Sequence, residues 1–269
     1  MRPISMYFRT SRPEMSSPPG LETTSIMDVS SDLETPEPIF DLRRGNMCIS
    51  DLSFLAAPES PVEWMSYSAI RAGHITYEDL LALVCSFPDA GLSSRPIFST
   101  DIHRPRAFLT GACVHGGSAG LLSNTQHYPW STRLFCSIAR QQAPSMYFTS
   151  IAANLNCQSS IHRDSHNHSV LPSAVIPASF FTGGQLWIEN TTGSVTVDGI
   201  PGDAIEIRPP YVTFQPRLRH RTLSWTGNRL VIVLYHIRQA WRLSESARRL
   251  LDSAGFHVYS SDVLRDPYM

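Results

Sequence analysis

The sequence predicts a mainly β protein, a closed or double-sheet antiparallel fold with flanking α-helices. Two observations carry this prediction. After Pro144 the chain breaks into eight short apolar runs that are separated by turn residues, with no helical pattern between them. On either side of this region, apolar residues recur instead at helical spacing.

Residue types mark the boundaries of the predicted helices. We expect three of them, at about Ile75 to Ser86, Trp130 to Arg140 and Ser244 to Ser253. Thr76, with Asp79 three residues later, resembles a capping box at the start of the first helix. Gly255 fits the stop position of the last helix.

The strands make up the expected core, at about residues 145–240. They are Met146–Leu155, Ser173–Phe181, Gln185–Glu189, Ser194–Val197, Ala204–Arg208, Val212–Phe214, His220–Trp225 and Arg229–Ile237. Residues 41–269 are therefore predicted to form a single domain. Residues 1–40 are rich in Ser, Pro, Thr and Glu, so we expect a disordered tail there.

Composition excludes several classes of protein. No apolar run approaches the roughly 18 residues of a membrane helix, and Arg9 interrupts the start too early for a secretion signal. The five cysteines form no C-x-x-C pair, which argues against a disulfide framework and a cysteine zinc site. We therefore expect a cytoplasmic or nuclear protein with no membrane partner.

Charge is balanced, with 22 basic and 23 acidic residues. Every basic residue is an arginine, because the sequence contains no lysine. A Schiff-base lysine and a P-loop lysine are both excluded by this absence. Near-neutral charge also gives no support for a strong polyanion binder.

A candidate metal site lies in the segment that begins at His162. On an extended strand, side chains two apart point to the same face, so His162 and Asp164 can face one ion. His220, at the start of a distant predicted strand, is placed to supply the third ligand. Two histidines and one carboxylate on one side of an iron leave positions open for a co-substrate and oxygen.

A candidate anion site follows nine residues after His220. Arg229 opens a strongly apolar strand that includes Leu230 to Leu234. A buried arginine is unfavourable unless it is paired, so it should hold an anion. A guanidinium binds a carboxylate through two parallel hydrogen bonds, and the far carboxylate of a five-carbon diacid would suit it.

These residues, in this order and spacing, resemble the motif of the Fe(II)/2-oxoglutarate dioxygenases. The resemblance covers roughly residues 105–240. It implies a double-stranded β-helix (jelly-roll) barrel and a hydroxylase that uses Fe(II), 2-oxoglutarate and O2. His162, Asp164 and His220 would then be the catalytic metal ligands, with Arg229 as the 2-oxoglutarate anchor. Asn154 or Asn156 is a further candidate for bonding the co-substrate, although ordinary strand-edge polarity accounts for them equally well.

A narrower resemblance concerns the string from His162 to Asn167. It is similar to the H-R-D-x-H-N string of the TET 5-methylcytosine dioxygenases, and the wider TET and base-J-binding group shares the stretch Gly183-Gly184-Gln185-Leu186. This implies a methylated pyrimidine base in nucleic acid as substrate, with His166 and Asn167 near the base. Gly202-Asp203-Ala204 resembles the family's turn before the strand that precedes the distal histidine.

Other interpretations stay open. Protein side chains and small metabolites are alternative substrates for such a hydroxylase. Residues 116–120 contain G-x-S-x-G, so a serine hydrolase using Ser118 is a rival. A non-catalytic β-barrel binding module and a zinc or manganese hydrolase are two more. Arg217, Arg219 and Arg221 flank His220 and suit either phosphates or a solvated rim. His168 is expected to be exposed.

Overall fold

The computed structural model describes residues 40–44, 56–88 and 104–259. The predicted tail therefore lies outside the described residues, apart from Phe40. In the described ranges the α-helices are α1 (Pro61–Ala72), α2 (Tyr77–Ser86), α3 (Asn124–His127), α4 (Pro129–Gln142) and α5 (Glu245–Ala254). Short 3-10 helices span Leu42–Arg44 and Ala240–Arg242.

The strands follow one another through most of the chain. They are β1 (Phe40–Asp41), β2 (His74–Ile75), β3 (Arg106–His115), β4 (Ser118–Leu121), β5 (Ser150–Leu155), β6 (Ser173–Pro177), β7 (Thr182–Gly183), β8 (Leu186–Glu189), β9 (Val195–Val197), β10 (Ile200–Ile205), β11 (Val212–Phe214), β12 (His220–Thr222), β13 (Trp225–Thr226) and β14 (Leu230–Tyr235). The mainly β prediction is confirmed.

Two antiparallel sheets form the body of the protein. The larger has six strands in the order β11-β6-β14-β5-β3-β4, and the smaller has four in the order β12-β8-β10-β9. β13 pairs with β7, and β1 pairs with β2. No helix in the part of the chain that the structure describes is long and apolar enough to cross a membrane.

The central strand β14 shows how the larger sheet is built. Leu230, Ile232 and Leu234 are fully buried in the main core, which they share with residues of the helices. The alternate residues Val231 and Val233 face the other way and line a cavity. This period of two follows from the pleat of a strand, and it gives the sheet a helix-covered face and a cavity face.

The helix predictions are confirmed, and two helices, α1 and the short α3, were not predicted from the sequence. Thr76 caps α2 by accepting a hydrogen bond from the backbone N–H of Asp79. Helix α1 carries the same kind of signal, since Ser60 caps it and Pro61 takes its first position. Its buried Glu63 accepts hydrogen bonds from two backbone N–H groups at the start of α4, so the two helices are joined there.

Two strand predictions need correction. The strand expected at Ala204–Arg208 runs instead over Ile200–Ile205, because the chain turns at Asp198 and Gly199, both with positive φ. Gly202 therefore lies within a strand, and the interpretation of residues 202–204 as a turn is wrong. The strand expected at His220–Trp225 is interrupted and forms β12 and β13, which pair with different partners.

The hydrolase interpretation also fails here. Gly116 and Gly117 form a two-residue turn with φ of 56° and 81°, which joins β3 to β4 as a hairpin. Ser118 pairs with His115 across this hairpin and begins a strand. A nucleophile elbow requires a strand followed directly by a helix. Ser118 does not have that setting.

Candidate metal centre and anion pocket

The segment that carries His162 and Asp164 lies beside a strand but belongs to no regular sheet. His162 forms an isolated antiparallel bridge with His220, in which each backbone N–H donates to the other residue's carbonyl at 3.1 and 2.9 Å. The backbone N–H of Asp164 donates to the carbonyl of Pro216 at 2.9 Å. The expectation of a full strand here is wrong, yet the bridge brings the two distant histidines together.

The three predicted ligands converge on one point. Their ligand atoms all lie within 4.8 Å of one another. Asp164 Oδ1 is 3.7 Å from His162 Nε2, and Asp164 Oδ2 is 3.6 Å from His220 Nε2. These separations are too long for hydrogen bonds. Ligands bonded to one ion at about 2.0–2.2 Å lie roughly 3 to 3.6 Å apart, so the donor set fits a single metal ion.

Both imidazoles are held in the form that ligates a metal. His162 Nδ1 lies 2.9 Å from the carbonyl oxygen of Ser160, and His220 Nδ1 lies 2.9 Å from that of Leu218. A carbonyl only accepts hydrogen bonds, so Nδ1 donates in each case and Nε2 presents its lone pair to the metal. The side chain of His220 is 5% exposed, and those of His162 and Asp164 are 20% and 23% exposed.

Asp164 is oriented by its own neighbour. The side-chain amide of Asn167 donates to Asp164 Oδ2 at 3.2 Å, and the backbone N–H of Asn167 donates to the carbonyl of Asp164 at 3.0 Å. Asn167 is buried and bridges to Ile237, so it is itself fixed. The sequence suggested a substrate contact for Asn167. Its amide contacts the carboxylate of the candidate ligand Asp164, and Asn167 also lines the cavity, so the substrate contact stays a prediction.

The metal centre opens on a cavity of about 660 Å³. All three candidate ligands line it, and so does Arg229. The larger sheet supplies an apolar wall that includes Ala152, Val175, Val231 and Val233. A partly apolar cavity with a few convergent polar groups is the usual form of a small-molecule site.

Arg229 lies buried in this cavity, as predicted, with 3% of its surface exposed. No carboxylate among the residues in 40–44, 56–88 and 104–259 forms an ion pair with it. Burial lowers the pKa of Arg229 to about 10, partly opposed by the neighbouring Cys157 thiol. A buried cation in this state is stabilised by an anion.

A backbone carbonyl and two aromatic rings surround the side chain of Arg229. Its Nε donates to the carbonyl of Gly184 at 3.2 Å, and its guanidinium lies 5.3 Å from the ring centre of Phe181 and 5.7 Å from that of Trp225. A Cβ at Gly184 would lie 2.7 Å from Nε, and the φ of Gly184 is +67°. The structure therefore explains the glycine at residue 184, because any side chain there would displace Arg229.

The two candidate asparagines separate into different roles. Asn154 lies on β5, pairs with Val231 and lines the cavity. Asn156 lies just beyond that strand with φ of 51°, and its Oδ1 accepts a hydrogen bond from the backbone N–H of Arg229 at 2.8 Å. Its amide also donates to Asn228 Oδ1. Asn156 therefore holds the start of β14, and Asn154 alone remains a candidate for bonding the co-substrate.

The two other histidines of this segment, His166 and His168, differ in exposure. His166 is exposed and lines the cavity, so it stays a candidate for substrate contact. His168 was expected to be exposed, but only 2% of it is. Its Nδ1 accepts hydrogen bonds from the backbone N–H groups of Val170 and Leu171, and its ring packs edge-to-face on that of His236. This local turn, which the sequence pattern did not reveal, draws the imidazole inward.

The arginines beside His220 have partners within the protein. Arg217 donates to the carbonyl of Ser165, and Arg221 lies 3.6 Å from Asp198. Arg219 forms a hydrogen bond to Glu189 through its backbone N–H. These contacts agree with a solvated rim in which the three arginines pair with nearby groups of the protein. The candidate site as a whole thus combines a three-ligand metal centre with a buried cation in one cavity.

Comparisons with known proteins give likenesses among solved structures. No family model and no curated protein matches the chain. An oxidoreductase of the 2OG-Fe(II) oxygenase family from Burkholderia pseudomallei is 15% identical, with 67% of this chain and 92% of that chain covered and a TM-score of 0.35. A Pseudomonas putida prolyl-4-hydroxylase is also 15% identical, with 69% and 94% covered and a TM-score of 0.29.

A third similar structure is NgTET1 in complex with 5mC DNA. It is 14% identical, with 49% of this chain and 60% of that chain covered and a TM-score of 0.30. The Burkholderia protein carries the name of the family whose motifs this sequence resembles.

Proposed function

We propose that this chain is an Fe(II)- and 2-oxoglutarate-dependent oxygenase that hydroxylates a C–H bond of its substrate. One observation carries the proposal. Two imidazole Nε2 atoms and one carboxylate converge on a cavity that also contains a buried arginine, to which the described residues offer no acidic partner. The two features together match a metal and an anionic co-substrate that share one space.

The donor set favours iron over zinc. His162, Asp164 and His220 would hold the ion and leave positions for the co-substrate and O2, as is typical of non-haem Fe(II) oxygenases. A bound Fe(II) would supply the oxidative chemistry, in which 2-oxoglutarate loses CO2 and gains one atom of O2 to become succinate, while the other oxygen atom enters the substrate C–H bond as a hydroxyl group. The residues of the chain hold the imidazoles in the ligating tautomer and orient the carboxylate.

Arg229 is the second support. Its guanidinium can hold the far carboxylate of 2-oxoglutarate through paired hydrogen bonds. The aromatic rings of Phe181 and Trp225 cover it, so water is kept away and the charge interaction is stronger than it would be in solvent. A zinc or manganese hydrolase has no need of such an anchor. A binding module that had lost its chemistry would also not need this complete set of residues.

The proposed fold is a double-stranded β-helix. The larger and the smaller sheet share an apolar cluster made of Val175, Leu186, Ile188, Phe214 and Val231, together with Ile207. Residues of both sheets also line the cavity that contains the candidate metal site. Two sheets that face one another across a ligand cavity are typical of jelly-roll domains.

For the substrate we propose a methylated pyrimidine base in nucleic acid. The string from His162 to Asn167, with its TET-like pattern, supports this, and so does the exposed position of His166 at the cavity wall. Protein side chains and small metabolites are the competing substrates. They belong to the same type of reaction and differ only in what occupies the open part of the cavity.

The test is release of succinate from 2-oxoglutarate with Fe(II) and O2. Methylated DNA oligonucleotides, unmethylated oligonucleotides of the same sequence, peptides and small metabolites are compared as stimulants. Asp164→Ala serves as the inactive control. We expect stimulation by methylated DNA, with an oxidised base in the product. Stimulation by a peptide or a metabolite alone would overturn the nucleic-acid substrate but keep the oxygenase. No succinate with any stimulant, in a protein that binds Fe(II), would overturn the oxygenase.

A further inference from the structure

The segment with His162 and Asp164 is held by isolated backbone hydrogen bonds and lies outside any regular sheet. Its bridge to His220 and the bond from Asp164 N–H to Pro216 hold it on one side. Arg163 lies between the two ligands. Its neighbours line the cavity and it does not, which agrees with the alternation of side chains in an extended chain. The Arg163 side chain thus lies on the outer face of the metal centre.

On that outer face Arg163 meets a carboxylate from the smaller sheet. Arg163 Nη2 donates to Glu189 Oε1 at 2.7 Å. The same Oε1 accepts a hydrogen bond from the backbone N–H of Arg219 at 2.7 Å, and Oε2 lies 3.7 Å from Arg219 Nε. Glu189 returns a bond, since its own N–H donates to the carbonyl of Arg219 at 2.8 Å.

The Glu189 carboxylate therefore joins two pieces of the metal centre. Arg163 is the residue between two proposed ligands, and Arg219 directly precedes the third, His220. The Glu189 side chain is 19% exposed. Partial burial would raise the pKa of Glu189, but hydrogen bonds from Arg219 and Arg163 outweigh it and lower that pKa. The carboxylate is thus charged and bonded on both sides at neutral pH.

We propose that Glu189 is a positioning residue that sets how tightly the metal is held, by fixing Arg163 and Arg219 on the outer face of the metal centre. This inference rests on the metal site of the proposed function, and it does not require 2-oxoglutarate or turnover. Backbone hydrogen bonds pair β8 with β12 and β10, so replacement of the Glu189 side chain should leave this pairing in place. The loss should therefore fall on the geometry of the ligands.

The experiment follows Co(II) in the full chain. Co(II) is loaded anaerobically, its visible d–d absorption is recorded, and its loss to an excess of chelator is timed. Glu189→Gln keeps an acceptor for Arg219 N–H but loses the charge. Arg163→Met removes the same contact from the other side without touching the smaller sheet. Glu245→Gln is the matched control, because its exposed ion pair with Arg249 lies on α5.

We expect both variants to lose Co(II) several-fold faster than the unchanged protein, less than the roughly 10-fold or more that groups bonded directly to metal ligands contribute, because Glu189 acts through the chain neighbours of the ligands. The d–d spectrum should shift in both, and the double variant should be no faster than Glu189→Gln alone, because Arg163→Met removes only one of the two contacts of Glu189. Glu245→Gln should match the unchanged protein. Thermal unfolding of the metal-free variants should stay close to that of the unchanged protein.

Equal rates of Co(II) loss in Glu189→Gln, Arg163→Met and the unchanged protein would overturn the role of Glu189. A double variant that loses Co(II) faster than Glu189→Gln would do the same, since the contact of Arg163 with Glu189 is already weakened in that single variant and should add nothing more. A protein that holds Co(II) as expected but releases no succinate would overturn the oxygenase alone. A protein that binds no Co(II) at all would overturn both proposals. If Glu189→Gln fails to fold, the rate of Co(II) loss from Arg163→Met alone tests the role of Glu189.

Discussion

The two ends of the cavity are built differently. Arg229 adjoins the central strand of the larger sheet, is 3% exposed, and has its backbone held by the Asn156 side chain. His162 and Asp164 lie on a segment outside any regular sheet, with 20% and 23% of their side chains exposed. One end is placed by the register of a sheet. The other is placed by isolated backbone hydrogen bonds to His220 and Pro216, together with side-chain contacts from Asn167 and Glu189.

This difference indicates which substitutions should disturb each end of the cavity. A register is shared by many backbone hydrogen bonds, so no single side chain of the larger sheet sets the place of Arg229. The metal end instead depends on a few side chains that can be removed one at a time. Variants at the two ends should therefore separate metal binding, co-substrate binding and stability from one another.

The largest expected effect is at the metal end. Asp164→Ala removes the carboxylate that faces both histidines, so metal affinity should fall by roughly 100-fold or more. Isothermal titration with Co(II) measures this, with Asp252→Ala on α5 as control. The fold should be retained, since Asp164 is partly exposed. Unchanged affinity would show that the three residues do not form the metal site.

Next comes the anion end. Arg229→Met removes charged hydrogen bonds worth about 1.5–3 kcal/mol each, so 2-oxoglutarate affinity should fall roughly 100-fold while Co(II) affinity stays the same. The thermal midpoint of the co-substrate-free protein should stay equal or rise, because an apolar side chain replaces a buried cation that no described carboxylate neutralises. A matched loss of Co(II) affinity would contradict the separation of the two ends.

A smaller effect distinguishes the two asparagines. Asn156→Ala leaves the buried backbone N–H of Arg229 without its acceptor, so the free energy of unfolding should fall by about 1–3 kcal/mol. Asn154→Ala should leave stability nearly unchanged and weaken 2-oxoglutarate binding, since Asn154 faces the cavity. Chemical denaturation and co-substrate titration measure both. The reverse pattern would show that their roles have been exchanged.

The smallest effect is expected at Ser118. Ser118→Ala should leave succinate release and stability unchanged, because residue 118 begins a hairpin strand and does not lie at a strand-to-helix turn. Loss of all activity in this variant alone would restore the serine hydrolase.

Much of the site could be predicted from residue type and spacing. The four residues His162, Asp164, His220 and Arg229 stand out in the sequence because imidazoles, a carboxylate and a guanidinium among apolar strands need a bound partner. Their convergence on one cavity agrees with that hypothesis. The apolar run from Leu230 to Leu234 likewise predicts a strand, although its two different faces are visible only in the structure.

The rest depends on contacts between distant segments. No local pattern links Arg163 to Glu189, or Asn156 to the backbone of Arg229, because these pairs are set by how the strands align. The local turn that buries His168 is formed by backbone N–H groups, which nearly every residue carries. Helix α1 is different, since Ser60 and Pro61 carry a capping signal from which it could have been predicted.

The central claim is that a metal and a diacid share this cavity. Anaerobic addition of 2-oxoglutarate to the Fe(II)-loaded protein tests it most directly by visible absorption. We predict a weak metal-to-ligand charge-transfer band that saturates with 2-oxoglutarate, is absent in Asp164→Ala and requires far more 2-oxoglutarate in Arg229→Met. A protein that binds Fe(II) and shows no such band at any concentration of 2-oxoglutarate would contradict the claim.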